Sequence, residues 1–404
     1  MKSTHKAKIL MVLVVLVFLF FFSNDFGLID VEKTSIITAI AIDKEQDEFI
    51  VTAQIAVPEA TDANTENLKA QLSGKGSTVG GALKDLGDVS GWFPKLAFCN
   101  LILLGNSLTN TNVIDALDYF AKTLRVQDSA LVALAENSAS ELLSTTTPLD
   151  NISAFALQKV MFKTQGFDRD VASTDIKSFC VGHYSRSASA YMPLIKIISA
   201  GKDAESTGGG SGGSSQSSGG SGSSGENKDK QNKLFDARTT ALFKNGYKVG
   251  ELDQELTLAF NSIKNNFKGT TLPVNDVMEN GRTSNYLLTV INSKSKLKVV
   301  ADVNQITLSI DLKLYCKISD HAIDGSTEAL SQNTPLPTAV KEKIQMQLKD
   351  KINELVTTSQ QTGCDFLNVK EKLYRHNYKQ YSRYKDNYLS VLKTNINVTV
   401  DGQK

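Results

Sequence analysis

At 404 residues the chain is too long for one ordinary domain, and its 41% hydrophobic and 22% charged residues match folded globular proteins. That composition excludes a chain disordered throughout and a polytopic membrane protein. Forty-four basic residues against 43 acidic ones leave a net charge of +1, so no global field draws nucleic acid or acidic polymers, and only a local patch can supply one.

Lys2, His5, Lys6 and Lys8 precede an unbroken apolar run from Ile9 to Phe22, the pattern of an export signal or signal-anchor. As helix the run is about 21 Å long at 1.5 Å per residue, short of the ~30 Å hydrocarbon core. Ser23-Asn24-Asp25-Phe26 lacks a small-x-small cleavage pattern. This favours an uncleaved anchor comprising Ile9, Leu13, Leu16 and Phe22, with Lys6 and Lys8 snorkelling and Phe26 to Ile29 at the far interface. A cleaved signal is the alternative. In either reading the chain beyond about residue 30 lies outside the membrane.

Ile36–Asp43 and Phe49–Val57 are β-rich runs joined by Lys44–Glu48 as a hairpin, with Pro58 closing the second strand. Ser77 or Thr78 caps a helix carrying Val79, Leu83 and Leu86 on one face. Leu96–Leu104 reads as a buried strand, 113–124 as a helix, Leu131–Ala135 as a short strand, and Ser138 as the cap of a further helix. Gly208–Gly225 contains only Gly, Ser and one Gln. Such a segment cannot bury a core; it is a flexible tether or a loop within a continuous fold. Beyond it, Thr239–Gly250 is a hairpin turning at Asn245-Gly246, and Leu252–Asn261 is a helix. Three strands follow at Tyr286–Ile291, Leu297–Val303 and Ile306–Ile318, the last alternating apolar with polar residues. Pro337 introduces a long helix striped with Val340, Ile344, Leu348, Ile352 and Leu355, and Asn395–Val400 is a last strand.

Little in this pattern carries catalytic chemistry. Cys99, Cys180, Cys316 and Cys364 are scattered, with no CxxC and no zinc spacing, and read as buried free thiols. Gly74-Lys75-Gly76-Ser77-Thr78 departs from a phosphate loop because Gly76 interrupts the Gly-Lys-Ser/Thr sequence. A clear strand before it is also lacking, so it reads as a turn into a capped helix. His183, His321 and His376 lie in different elements, with no GxSxG outside low complexity and no HExxH. Tyr374, Tyr378, Tyr381, Tyr384 and Tyr388 follow helical spacing among Lys370, Lys372, Arg375, Lys379, Arg383 and Lys385. Such a face is either a packed tyrosine stripe with a solvated basic side, or a surface for a partner or an anionic membrane centred on Tyr378, Arg383 and Lys385.

The order of these elements resembles the Ger(x)C family, the C subunits of GerA-type spore germinant receptors. Ala41-Ile42-Asp43-Lys44 stands in the opening hairpin, followed by Gly74–Val79 leading into Ala82-Leu83, then Phe98–Gly105 and Leu117–Phe120. Ala241–Gly246 with Val249-Gly250-Glu251-Leu252 is the most specific match, and Gly363-Cys364-Asp365-Phe366-Leu367 before Leu373-Tyr374-Arg375 completes the order. The family's lipobox cysteine is missing, since Phe22-Ser23-Asn24-Asp25 occupies its place. A retained apolar helix would substitute for a lipid anchor.

The resemblance implies a non-enzymatic subunit on the outer face of the spore inner membrane, beside two integral membrane subunits of A and B type. No cofactor, metal, catalytic residue or nucleic-acid partner is expected. The expected architecture is α+β and multi-domain, with mixed sheets and packed helices after one N-terminal membrane segment. Its parts are an anchor (1–30), an α+β domain (31–200), a linker (201–233) and a second α+β domain (234–404) that divides further near 290. An anchored extracytoplasmic hydrolase and a cell-wall or membrane-surface binding module are the alternatives.

Overall fold

The computed structural model describes residues 8, 10–18, 34–56, 69–123, 126–162, 170–199, 233–264, 267–279, 281–323 and 335–402. In chain order the first sheet contains β1 (Thr34–Glu45), β2 (Glu48–Ala56), β3 (Lys69–Gly76), β4 (Phe93–Lys95), β5 (Leu101–Leu104), β6 (Leu131–Ala135), β7 (Thr174–Asp175), β8 (Ser189–Ser199), β9 (Lys233–Lys244) and β10 (Tyr247–Leu252). The helices among them are α1 (Val79–Ser90), α2 (Ile114–Thr123), α3 (Ala139–Ser144), α4 (Ser153–Met161) and α5 (Ile176–His183). Then come α6 (Gln254–Ile263) and a second sheet of β11 (Thr271–Glu279), β12 (Arg282–Ala301), β13 (Ile306–Ile323) and β14 (Leu392–Gly402). Between β13 and β14 lie α7 (Thr338–Thr362), α8 (Val369–His376) and α9 (Tyr378–Tyr384). The α+β expectation holds for the described residues.

Strands β1, β5, β6 and β8 are parallel neighbours at the centre of the first sheet, with antiparallel β2–β3 on one side and β9–β10 on the other. Both faces are covered, which explains why β5 and β6 are apolar at every position rather than alternating. Ile40, Ile42, Ile102, Leu104, Val132 and Leu134 pack toward α1, α2 and α5. Their neighbours Ala39, Ala41, Leu101, Leu103, Ala133 and Ala135 pack toward α3 and α4. Of the strand predicted at 96–104 only Leu101–Leu104 is strand, as β5, and β4 lies just before the predicted range. A tight turn at Leu96–Cys99 separates the two, and both pair with β1.

Ser138 occupies the cap position of α3, but its hydroxyl does not cap the helix. It donates to Asp43 at 3.0 Å, and the Asp43 carboxylate accepts the Ala139 and Ser140 amides at 2.9 Å each. The cap thus comes from the end of β1, far away in sequence. Lys69–Gly76 is a strand, contrary to the sequence reading of that region. Its glycines exist because α1 lies directly across it, so that a Cβ on Gly74 would sit 2.2 Å from the Ala82 carbonyl oxygen. Close packing accounts for the motif.

The segment 201–233 falls, apart from Lys233, outside the described residues. The strands flanking it, β8 and β9, are paired antiparallel from Ser189↔Lys244 to Ser199↔Lys233. A division of the chain at this point therefore cuts between two hydrogen-bonded strands. The turn between β9 and β10 is Asn245-Gly246, both at positive φ (53° and 84°), as a tight hairpin requires.

In the second sheet, β11–β12–β13 are antiparallel and β14 joins β13 in parallel. The two strands expected at 286–291 and 297–303 are one, β12. The polar stretch Asn292–Lys296 that separates them in sequence continues through a register shift, paired with β13 throughout. On β13, Ile306, Leu308, Ile310, Leu312, Leu314 and Cys316 form the buried face. The stripe Val340, Ile344, Leu348, Ile352 and Leu355 of α7 packs into the same cluster. That cluster also takes Leu242 and Leu252 from the first sheet and Phe260 from α6, so one core joins both sheets.

Residues 10–18 are helical, and their nine apolar side chains are exposed. Leu13 and Leu16 lie in this helix, whereas Ile9 and Phe22 fall outside the described residues. No helix among the described residues is long and apolar enough to cross a membrane.

Candidate functional site

The residues after α7 join the two sheets. Gly363 ends that helix in the left-handed region (φ 66°), and Ser359 Oγ donates to the Cys364 carbonyl at 2.7 Å. The Cys364 thiol then points at the Phe243 carbonyl of β9 (3.2 Å). The Asp365 amide donates to Ser189 Oγ of β8 (2.9 Å). Phe366 meets Phe260 of α6 edge to face at 5.4 Å. Three consecutive residues thus fasten the second sheet and its helices to the first sheet and to α6.

The Asp365 side chain, fully buried, accepts the Val369 and Lys370 amides at 2.8 Å each and so closes the first turn of α8. Burial pushes its carboxyl up to about 6, against the lowering effect of those two amides. Between about pH 4 and 6 the folded chain holds a proton that the unfolded chain has released. This contribution to stability is therefore full below about pH 4 and lost as pH rises through about 6, an effect of roughly 3 kcal/mol at about 1.4 kcal/mol per unit. Urea unfolding of the wild type and of Asp365→Asn, run from pH 4 to 7, checks this. The wild type is expected to lose stability relative to the variant over that range, and a constant difference would contradict it.

Beside this joint a cleft of about 950 Å³ opens between α5 with its following turn and α8. Five cationic side chains line it, Lys177, Arg186, Lys264, Lys372 and Arg375, against one carboxylate, Glu371. Glu371 accepts from Arg186 at 3.1 Å and from Arg375 at 2.9 Å. Burial pushes the Glu371 carboxyl up, but the hydrogen bonds from the two arginines outweigh it and hold it below the usual range. The Arg186 guanidinium stacks 3.4 Å from the centre of the Tyr374 ring. Nothing in the local sequence marks Arg186, because 185 positions separate it from Glu371 and no local pattern links them. Two hydroxyls on the cleft wall are engaged in its turns, Ser185 donating to Gly182 O and Ser189 to Ser187 O. A positively charged wall of this kind suits an anionic or acidic partner.

The tyrosine face is split. The helix expected through Tyr374–Tyr388 breaks at Asn377 into α8 and α9, and Tyr388 lies beyond α9. Tyr384 and Tyr388 are buried; the Tyr384 hydroxyl donates to the Val303 and Asp302 carbonyls at the β12–β13 turn. Tyr374, Tyr378 and Tyr381 form a ring cluster, with Tyr378 64% exposed, and Arg383 and Lys385 are exposed nearby. Part of the stripe is core, and part is surface continuous with the cleft through Tyr374.

The three described histidines lie in three different elements. His183 ends α5 against Tyr184, His321 stacks on Tyr286 in the second sheet, and His376 lines the cleft. No cluster of metal-ligand type occurs among the described residues. All four cysteines are free. Burial pushes the thiols of Cys99, Cys316 and Cys364 up to about 12, whereas Cys180 is half-buried. Since the thiolate is the reactive form, iodoacetamide on the native chain should label Cys180 first and the other three only on unfolding. Peptide mass spectrometry reads the order; prompt labelling of Cys99, Cys316 or Cys364 in the folded chain would contradict it.

Two family models match the chain. The spore germination protein N-terminal domain covers residues 28–197, and the spore germination B3/GerAC-like C-terminal domain covers 238–403. The chain belongs to the Ger(x)C family of spore germination proteins. A solved structure titled "Crystal Structure of the GerBC protein" is similar at 14% identity and a TM-score of 0.49, over 93% of this chain and 100% of that one. No curated protein matches the chain.

Proposed function

We propose that this chain is the non-enzymatic C subunit of a nutrient germinant receptor. It is held at the outer face of the spore inner membrane by Ile9–Phe22 and assembles there with two integral membrane subunits of A and B type. The observation that carries the reading is the family match through both halves of the chain, to either side of the Gly/Ser segment. The exposed apolar helix at 10–18 supports the anchor, because lipid is the solvent that such side chains favour. The partner-facing surface is the exposed part of the tyrosine cluster with Tyr378, Arg383 and Lys385, next to the cationic cleft. Rim charges of this kind steer encounter and set partner choice.

Spores deleted for the chain test the proposal, complemented with either the wild type or an Arg383→Glu/Lys385→Glu variant. The deletion is expected to abolish the response to at least one nutrient. The wild type should restore it, and the charge-reversed chain, present at normal level, should restore it weakly. Spores that germinate normally with every nutrient after the deletion would contradict the receptor reading.

A further inference from the structure

One end of the first sheet carries a group of exposed apolar side chains that no part of the function proposed above requires. Thr34, Ser35 and Ile36 at the start of β1 pair in parallel with Phe93, Pro94 and Lys95 of β4. Parallel partners share a face, so Ile36, Phe93 and Lys95 project from the same side of this ribbon. Ile36 is 41% exposed, Phe93 43%, and the adjoining Trp92 47%. Val89, in the last turn of α1, and Phe98, in the turn after β4, are more exposed still. Trp92, Phe93 and Pro94 also wall a groove whose floor is α1 at Gly80, Leu83 and Gly87. Soluble surfaces seldom gather aromatic and aliphatic residues in this way without a partner.

The position of the patch identifies that partner. The apolar run ends at Phe22 and β1 begins at Thr34, so whatever the conformation between them, the start of β1 lies within about 40 Å of the end of the run at 3.3–3.6 Å per residue. Phe93 lies on the strand beside that point, and Trp92 directly precedes it. Tryptophan and phenylalanine flanked by an exposed lysine, here Lys95, are the side chains that settle at the headgroup level of a bilayer.

We infer that Ile36, Val89, Trp92, Phe93 and Phe98 form a lipid-docking face that seats this end of the first sheet on the membrane surface and fixes how the rest of the molecule is presented. The inference rests on the anchored reading proposed above.

Trp92 is the single tryptophan of the chain, so its fluorescence reports on this face alone. The full chain is reconstituted into vesicles of phosphatidylethanolamine and phosphatidylglycerol, with and without lipids brominated near the headgroup end of their acyl chains. Flotation first confirms attachment. Docking predicts a loss of more than half of the Trp92 emission in the brominated vesicles, with protection from aqueous acrylamide. In a Val89→Ser/Phe98→Ser variant, with both sites solvent-exposed and the fold checked by circular dichroism, both effects should be markedly smaller. A chain that floats while Trp92 escapes the bromolipid and stays open to acrylamide overturns the docking face and leaves the anchor standing. Protection from acrylamide that appears only with co-reconstituted integral subunits, without bromolipid quenching, makes the patch a protein interface and also overturns it. A chain that does not float removes the anchor, and the docking face with it.

Discussion

Replacing Phe366 by alanine should destabilise the chain by about 3–5 kcal/mol, the range for truncating a fully buried phenylalanine. The ring is 2% exposed and lies edge-on to Phe260, in the cluster that both sheets share. Its neighbours Cys364 and Asp365 are the residues that dock onto β9 and β8. The cavity therefore opens at the joint. The loss should fall on the coupling between the sheets, splitting a joint unfolding transition into two. Phe366→Leu, which keeps most of the volume, should lose much less. Denaturant unfolding followed by circular dichroism and by intrinsic fluorescence reads both effects. A loss under about 1 kcal/mol, well below that range, would mean that the two sheets are held together elsewhere.

Gly74→Ala should destabilise the chain by the opposite route. The added Cβ would lie 2.2 Å from the Ala82 oxygen and 2.5 Å from the Leu86 nitrogen, both backbone atoms of α1. No side chain can rotate away to make room, so α1 must lift from β3, exposing Val79, Leu83 and Leu86, which it now buries. Overpacking that forces such backbone shifts costs about 1–3 kcal/mol, occasionally more. Gly81→Ala is the control, since its Cβ meets only Thr78 Oγ1 at 3.1 Å. Equal midpoints for the two variants would show that the close approach of α1 to β3 carries no weight.

Elements whose signal is local could be read from the sequence. The alternation on β13, the 4-4-4-3 stripe of α7 and the Asn245-Gly246 turn each arise from neighbours a few residues apart, and each appears where its pattern placed it. What escaped depends on distant chain. The Asp43 carboxylate caps α3 from 96 residues away, a role that local reasoning assigned to Ser138. β12 runs through Asn292–Lys296 because β13 supplies its hydrogen bonds, overriding a polar stretch that alone reads as a gap. β3 carries glycines that argue against a strand until α1 is seen lying on it. The pairing of β8 with β9 leaves no local trace, because the residues between them have no pattern of their own.

The candidate site divides in the same way. Tyr378, Arg383 and Lys385 were legible as an unusual run of aromatic and basic residues, and all three are exposed. The periodicity suggested one continuous tyrosine face, but Asn377 interrupts it and turns Tyr384 and Tyr388 into the core. The cationic cleft was not legible, because Arg186 and Lys264 reach it from elements far from α8 in sequence.

Extraction of spore membranes in gentle detergent, with recovery of this chain and identification of what accompanies it, tests the central claim most directly. The receptor-subunit account predicts a pair of polytopic membrane proteins in the wild-type recovery, lost when Ile9–Phe22 is removed. Recovery of the chain alone, or its presence only in vegetative cells, would contradict it.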